Sequence, residues 1–131
     1  VDQLSPLVLA YVGDAVYELF VRTHLLRQEA RVGDLHLAAR ELVRAATQAR
    51  ILRSLEPELR EEEKRVARRG RNTKSGSIPK SATVSEYRHA TGFECLLGYL
   101  FLTGQDDRLL ELLTRAVEVG QGPGDGMEAE G

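Results

Sequence analysis

Two carboxylates stand inside the two most apolar stretches of the chain. Asp14 interrupts Leu7-Val8-Leu9-Ala10-Tyr11-Val12-Gly13-Asp14-Ala15-Val16-Tyr17-Glu18-Leu19-Phe20. Glu94 interrupts Phe93-Glu94-Cys95-Leu96-Leu97-Gly98-Tyr99-Leu100-Phe101-Leu102. An unpaired carboxylate taken out of water is costly, so each acid calls for a cation. Each stretch also carries a glycine, Gly13 or Gly98, that permits close backbone approach. If the two segments pack side by side, the acids meet. Two close carboxylates repel unless a proton or a cation sits between them. A hard oxygen site completed by water suits Mg²⁺ or Mn²⁺. Such an ion can bind a phosphate oxygen, activate a water and steady a leaving oxygen. The plainer reading makes each acid a partnered core residue or a water-edge group, with Arg22 or Arg88 as its partner.

Phosphate has a place in the sequence as well. Residues 64–80 hold Lys64, Arg65, Arg68, Arg69, Arg71, Lys74 and Lys80, with no acid among them. That is seven of the 18 basic residues. The formal net charge is −2, which alone argues weakly against nucleic acid. The segment after Val119 holds three of the 20 acids and no base, however, so the rest is close to neutral. A near-neutral body with one concentrated basic segment can engage phosphates locally. An ordinary solvated helix face and loop would show the same composition.

These residues need helices to position them. Leu7, Tyr11, Ala15 and Leu19, beside Val8, Val12, Val16 and Phe20, form adjacent rows at spacing four. Ser5-Pro6 reads as N-cap and first turn, and the helix should fade by about Gln28. Gly33-Asp34 reads as a turn and cap. A second helix follows, turning Leu35, Leu42, Val43, Ala46, Ala49 and Leu52 to the core. Glu56-Pro57 ends it. Glu58 to about Arg69 reads as a third helix, with Glu61-Glu62-Glu63 a solvated start. Gly70 to Pro79 reads as a loop. Thr83 or Ser85 can cap a fourth helix that carries Glu94 to about Thr103. Gly104 ends it, and Asp106 to Val119 forms a short fifth. The expected fold class is all-α, with about five main helices in one domain over residues 1–119. From Gly120 to 131 a Gly-rich acidic tail is expected to be disordered.

Other classes lose support. No apolar run is long enough to span a bilayer, and no basic-then-apolar secretion pattern opens the chain. The chain opens at Val1, not Met, which leaves room for residues before it. A single Cys95 excludes an internal disulfide and a Cys-rich zinc site, and a cytoplasmic protein is expected. Cys95 reads as a small core residue. His24, His36 and His89 make no spaced metal set, and no His-Asp dipeptide occurs. Glu18 reads as a surface pair with Arg22, four residues on.

The stretch Leu9-Ala10-Tyr11-Val12-Gly13-Asp14-Ala15-Val16-Tyr17-Glu18-Leu19 resembles the ribonuclease III signature helix. Glu94-Cys95-Leu96-Leu97-Gly98 resembles that family's second metal-binding helix. Arg68-Arg69-Gly70-Arg71-Asn72-Thr73-Lys74-Ser75-Gly76 and Tyr87-Arg88-His89-Ala90-Thr91-Gly92-Phe93-Glu94 are similar to its short bacterial form, which has no double-stranded-RNA-binding domain. The resemblance runs in order over residues 4–115. It implies a homodimeric endoribonuclease with catalytic, Mg²⁺-binding Asp14 and Glu94, and Mn²⁺ as a substitute. It implies double-stranded RNA as substrate, products with 5′-phosphate and 3′-hydroxyl ends, and maturation of the 23S ribosomal RNA precursor. A ribosomal protein presenting that substrate is a further partner to expect. Arg71, Lys74 and Lys80 are assigned to backbone phosphates, since an A-form duplex is read mostly by shape, phosphates and 2′-hydroxyls. The longer family members have a glutamate four residues before the signature aspartate and an aspartate three before the second glutamate. Here those positions are Ala10 and Thr91. The loss keeps a rival open: a non-catalytic double-stranded-RNA-binding protein of the same fold. A helical nucleotide hydrolase is a third reading, resting on Glu58 to Glu63 alone.

Overall fold

A computed structural model describes residues 4–27, 31–73, 78 and 80–122. Among these residues six α-helices follow one another: α1 (Pro6–Leu25), α2 (Val32–Val43), α3 (Ala45–Leu55), α4 (Glu61–Arg71), α5 (Val84–Leu102) and α6 (Asp106–Gln121). A single 3-10 turn, Glu56–Glu58, joins α3 to α4. There is no strand among the described residues.

Helix α5 is the centre of the bundle and packs on α1, α3 and α4, with α1 its most extensive partner. Its middle is buried on nearly every side, from Ala90 to Leu100, apart from Glu94. A helix apolar all round belongs in a core. Its start is secured by a reciprocal cap between Thr83 and Glu86, so of the two caps the sequence offered, Thr83 and Ser85, the first is used. Its end is turned by Gly104, whose φ of +71° only glycine adopts easily. Helix α1 starts as expected, with the Ser5 hydroxyl accepting from Val8 N–H at 3.2 Å and proline at the first position.

The expected five helices are six, because the second divides at Arg44, where ψ is 146°. No glycine or proline marks that break. It is stabilised from elsewhere in the fold. The Tyr17 hydroxyl donates to the Leu42 carbonyl at 2.9 Å, and Gln48 Nε2 donates to the Val43 carbonyl at 2.8 Å. Two carbonyls that the break would leave unpaired are thereby satisfied. Helix α2 also begins earlier than expected, so Gly33-Asp34 lies in its first turn. Helix α4 takes in Gly70 because Gly70 is buried against α5. A Cβ there would lie 2.8 Å from Gly92 Cα. Helix α6 runs to Gln121, two residues past its expected end, with Gly120 buried against Leu42. Most of the expected tail, residues 123–131, lies outside the described residues.

Glu63 corrects another expectation. It is 2% exposed rather than solvated. Arg108 of α6 donates to both of its oxygens at 2.8 Å, and the Arg60 N–H donates to one at 2.9 Å. Burial pushes the Glu63 carboxyl up, but these hydrogen bonds outweigh it and hold the group below its usual range. Glu58 pairs with Arg115, and Glu62 lies 3.4 Å from Arg65. The acids that supported the nucleotide-hydrolase reading are thus structural ion pairs.

Candidate active site

Helices α1 and α5 meet through glycine. A Cβ on Gly13 would stand 1.7 Å from the Glu94 carbonyl oxygen, and one on Gly98 would stand 2.0 Å from that of Leu9. Backbone therefore touches backbone, and no other residue fits at either position. The residue after Gly13 is Asp14, and Glu94 lies one turn before Gly98. The close approach brings their side chains together, as the sequence suggested for helices packed side by side.

The two acids do not share an environment. Asp14 is exposed, and Glu94 is half-buried. The buried misfit at the start of the chain is thus no misfit: Asp14 faces outward. Burial pushes the Glu94 carboxyl up to about 9, and the hydrogen bond and charge of Asp14 add to the shift. Both causes favour the protonated form of Glu94. Neither Arg22 nor Arg88 serves as the cation. Arg22 Nη2 is 2.6 Å from Glu18, the surface pair expected, and Arg88 is exposed with no ion pair among the described residues.

The interior wall of the site is apolar. Tyr17 and Phe93 meet edge to face at 5.2 Å, and both are fully buried. Burial raises the Tyr17 hydroxyl well above its usual range, so it remains a hydrogen-bond donor to Leu42. Cys95 points away, its thiol donating to the Pro6 carbonyl at 2.8 Å. Burial pushes that thiol up to about 12, which makes it the core residue expected and a poor nucleophile. Ala10 and Thr91, where longer family members have acids, offer no ligand. Ala10 is packed in the core, and the Thr91 hydroxyl donates to the Tyr87 carbonyl at 3.0 Å.

One residue here was missed from the sequence. Gln48 of α3 is 3% exposed, and its amide lies near enough to Glu94 to favour the charged carboxylate. The available signal was a polar residue at a core position, in the same helical row as Leu52 and Leu55. The site therefore offers two carboxylates and one buried amide, all hard oxygen donors. Among the described residues no group of three or more His, Cys, Asp or Glu comes together. Oxygen ligands of this kind fit Mg²⁺ or Mn²⁺.

Of the three basic residues assigned to RNA, neither Arg71 nor Lys80 is among the groups that act on Glu94. Arg71 ends α4, half-buried, with Nη1 3.5 Å from Glu56. Lys80 is exposed just before α5. Lys74 lies outside the described residues. An apolar strip flanks Asp14 on the outer face of α1. Tyr11 is 81% exposed and Leu19 69% exposed, with Phe101 of α5 nearby at 50%.

A helical domain that joins an outward aspartate to a half-buried glutamate at a glycine crossing has the form of a ribonuclease III domain. The model of the Ribonuclease III domain matches residues 7–105, from the first turn of α1 to just past α5. The chain belongs to this family, and so to the endoribonucleases. It is 54% identical over 116 residues to Mini-ribonuclease 3 of Symbiobacterium thermophilum, covering 88% of this chain and 89% of that protein. It is 47% identical over 119 residues to Mini-ribonuclease 3 of Brevibacillus brevis, covering 90% and 89%. A crystal structure of a Fusobacterium nucleatum protein has the same fold. It shares 29% identity and a TM-score of 0.81, over 88% of this chain and 93% of that one.

Proposed function

We propose that this chain cleaves double-stranded RNA hydrolytically as a homodimer, with Asp14 and Glu94 holding Mg²⁺. The meeting of Asp14 with Glu94 beside the Gly13–Gly98 crossing of α1 and α5 carries this reading. Two acids held close repel, and a cation between them relieves the repulsion. A bound divalent ion supplies a water nucleophile of lowered pKa and charge stabilisation at the phosphate. The chain's own share is separate. Asp14, exposed, meets ion and RNA at the surface. Glu94, against an apolar wall, keeps its oxygens aimed by packing. Arg71, Lys74 and Lys80 hold duplex phosphates. The apolar strip of Tyr11, Leu19 and Phe101 supports the homodimer, because unpartnered apolar patches of this kind mark contact surfaces. Family membership and the basic segment support duplex RNA as the substrate class, and the resemblance of the sequence to the short bacterial form implies the 23S ribosomal RNA precursor, in the cytoplasm, as the particular one.

Duplex RNA incubated with Mg²⁺ is expected to be cut by the unaltered protein and left intact with EDTA. Asp14→Asn is expected to lose at least about 100-fold in cleavage, no less than disturbing a metal's outer shell costs, while still binding duplex. Cleavage that survives Asp14→Asn would falsify the site. The absence of acids at Ala10 and Thr91 favours one second reading, a duplex-binding protein without turnover. Binding without cleavage by the unaltered chain would establish it.

A further inference from the structure

Gln48 reaches the Asp14–Glu94 site from α3, a third element. Its Nε2 donates to the Val43 carbonyl at 2.8 Å, which settles which end of the amide is oxygen. The Oε1 atom is buried and has no hydrogen-bond partner among the described residues. Leaving a buried acceptor unpaired costs about 1–3 kcal/mol. Leucine, found at the neighbouring row positions 52 and 55, would avoid that cost. The amide also lies against Glu94. With a cation bound, Glu94 is a carboxylate that takes the N–H end of the amide and leaves its oxygen unpaired, because a carboxylate and an amide oxygen both only accept. Whatever completes Gln48 must bring a hydrogen into the site.

We propose that Gln48 is a positioning residue whose Oε1 accepts a hydrogen bond from the water shell of a divalent cation held by Asp14 and Glu94. This rests on the metal reading above. A hard cation with two protein carboxylates keeps several waters, each with hydrogens to place. A neutral acceptor orients such a water without adding charge. The anchor at Val43 also ties the break between α2 and α3 to the site, so the oxygen is held by the fold and not by a free rotamer.

Mn²⁺ binding to the full chain without RNA tests this, with free Mn²⁺ read by electron paramagnetic resonance. Gln48→Met is expected to weaken Mn²⁺ binding about tenfold, as removal of an outer-shell partner does. Gln48→Glu keeps an oxygen but lacks the donor for Val43, and is expected to bind Mn²⁺ at least as tightly as the unaltered chain. If Gln48 only caps α2, Gln48→Met lowers metal-free stability and leaves Mn²⁺ affinity unchanged, which overturns the proposal. Equal weakening in both variants overturns it too, since the oxygen would then be irrelevant. If Gln48→Met does not fold, Gln48→Glu decides alone: weaker binding refutes the assignment. Asp14→Asn separates the two layers. Mn²⁺ binding that is lost in Asp14→Asn but untouched in Gln48→Met sinks only the Gln48 role. Absence of Mn²⁺ binding in the unaltered chain sinks the metal reading and this one together.

Discussion

Glu94 is costly to the metal-free protein, and that cost has a pH signature. Its carboxyl titrates near 9 when folded and near its ordinary value of 4.5 when unfolded. Between these values the folded chain keeps a proton that the unfolded chain has released. Stability therefore falls as pH rises from about 4.5 to about 9 and levels above it. Glu94→Gln removes the titration. It is expected to flatten this slope and to raise metal-free stability at pH 8 by about 1–3 kcal/mol, read from urea melts at several pH values. Cation binding at neutral pH should release about one proton, measurable by calorimetry in buffers of different ionisation enthalpy. A slope unchanged in Glu94→Gln would mean that another group carries it. Glu63 works in the opposite sense. Its carboxyl is held below the usual range, so its contribution is complete above that range and is lost as pH falls through the lowered value.

At the scale of elements, the site depends on how closely α1 and α5 approach. Gly13→Ala would drive a methyl into the Glu94 carbonyl, a backbone atom that cannot rotate aside. The helices must part. We expect a loss of about 1–3 kcal/mol in stability by thermal melting, together with weaker Mn²⁺ binding as Asp14 draws away from Glu94. Retained metal affinity in a destabilised Gly13→Ala would show that the crossing does not set the site. The segment between α4 and α5 carries a separate prediction. Lys74→Ala with Lys80→Ala should weaken duplex RNA binding without altering Mn²⁺ affinity. The salt dependence of binding should fall by about 0.9 in log–log slope for each phosphate no longer neutralised, read from filter binding across a salt series. An unchanged slope would remove this segment from the interface.

At the scale of the whole molecule, α1 has two working faces. One, with Leu9, Gly13, Tyr17 and Val21, is buried in the bundle. The other exposes Tyr11 and Leu19 beside Asp14. If the outer face joins two copies, Leu19→Glu should cost association about 2 kcal/mol or more, as a central interface residue does. Sedimentation across a concentration series checks this, and a chain that is monomeric before the change would refute the homodimer. The rows read from spacing, Leu7, Tyr11, Ala15 and Leu19 beside Val8, Val12, Val16 and Phe20, prove exposed or half-buried, and the buried row was not among them. Leu7, Tyr11 and Leu19 looked as fit for burial as Leu9 and Tyr17, because periodicity measures apolar character and not which neighbour covers it.

Much was legible in the chain because its causes are local. The helical class, the caps at Ser5 and Thr83, the Gly104 turn and the isolated acids with their glycines all follow from residue type and spacing. The sequence alone therefore specified two helices able to come close and two carboxylates able to meet. Tertiary structure decided what depended on neighbours distant in the chain. Asp14 proved exposed and Glu94 half-buried. Glu63 went inside because Arg108, from another helix, supplied its counter-charge. Helix α2 ended at Val43 because Tyr17 and Gln48 took up its last carbonyls. Gln48 gained its place beside Glu94 by the packing of α3 on α5. Burial, and the pKa shifts and unpaired atoms that come with it, depends on which surfaces meet. No pattern along the chain contains that information.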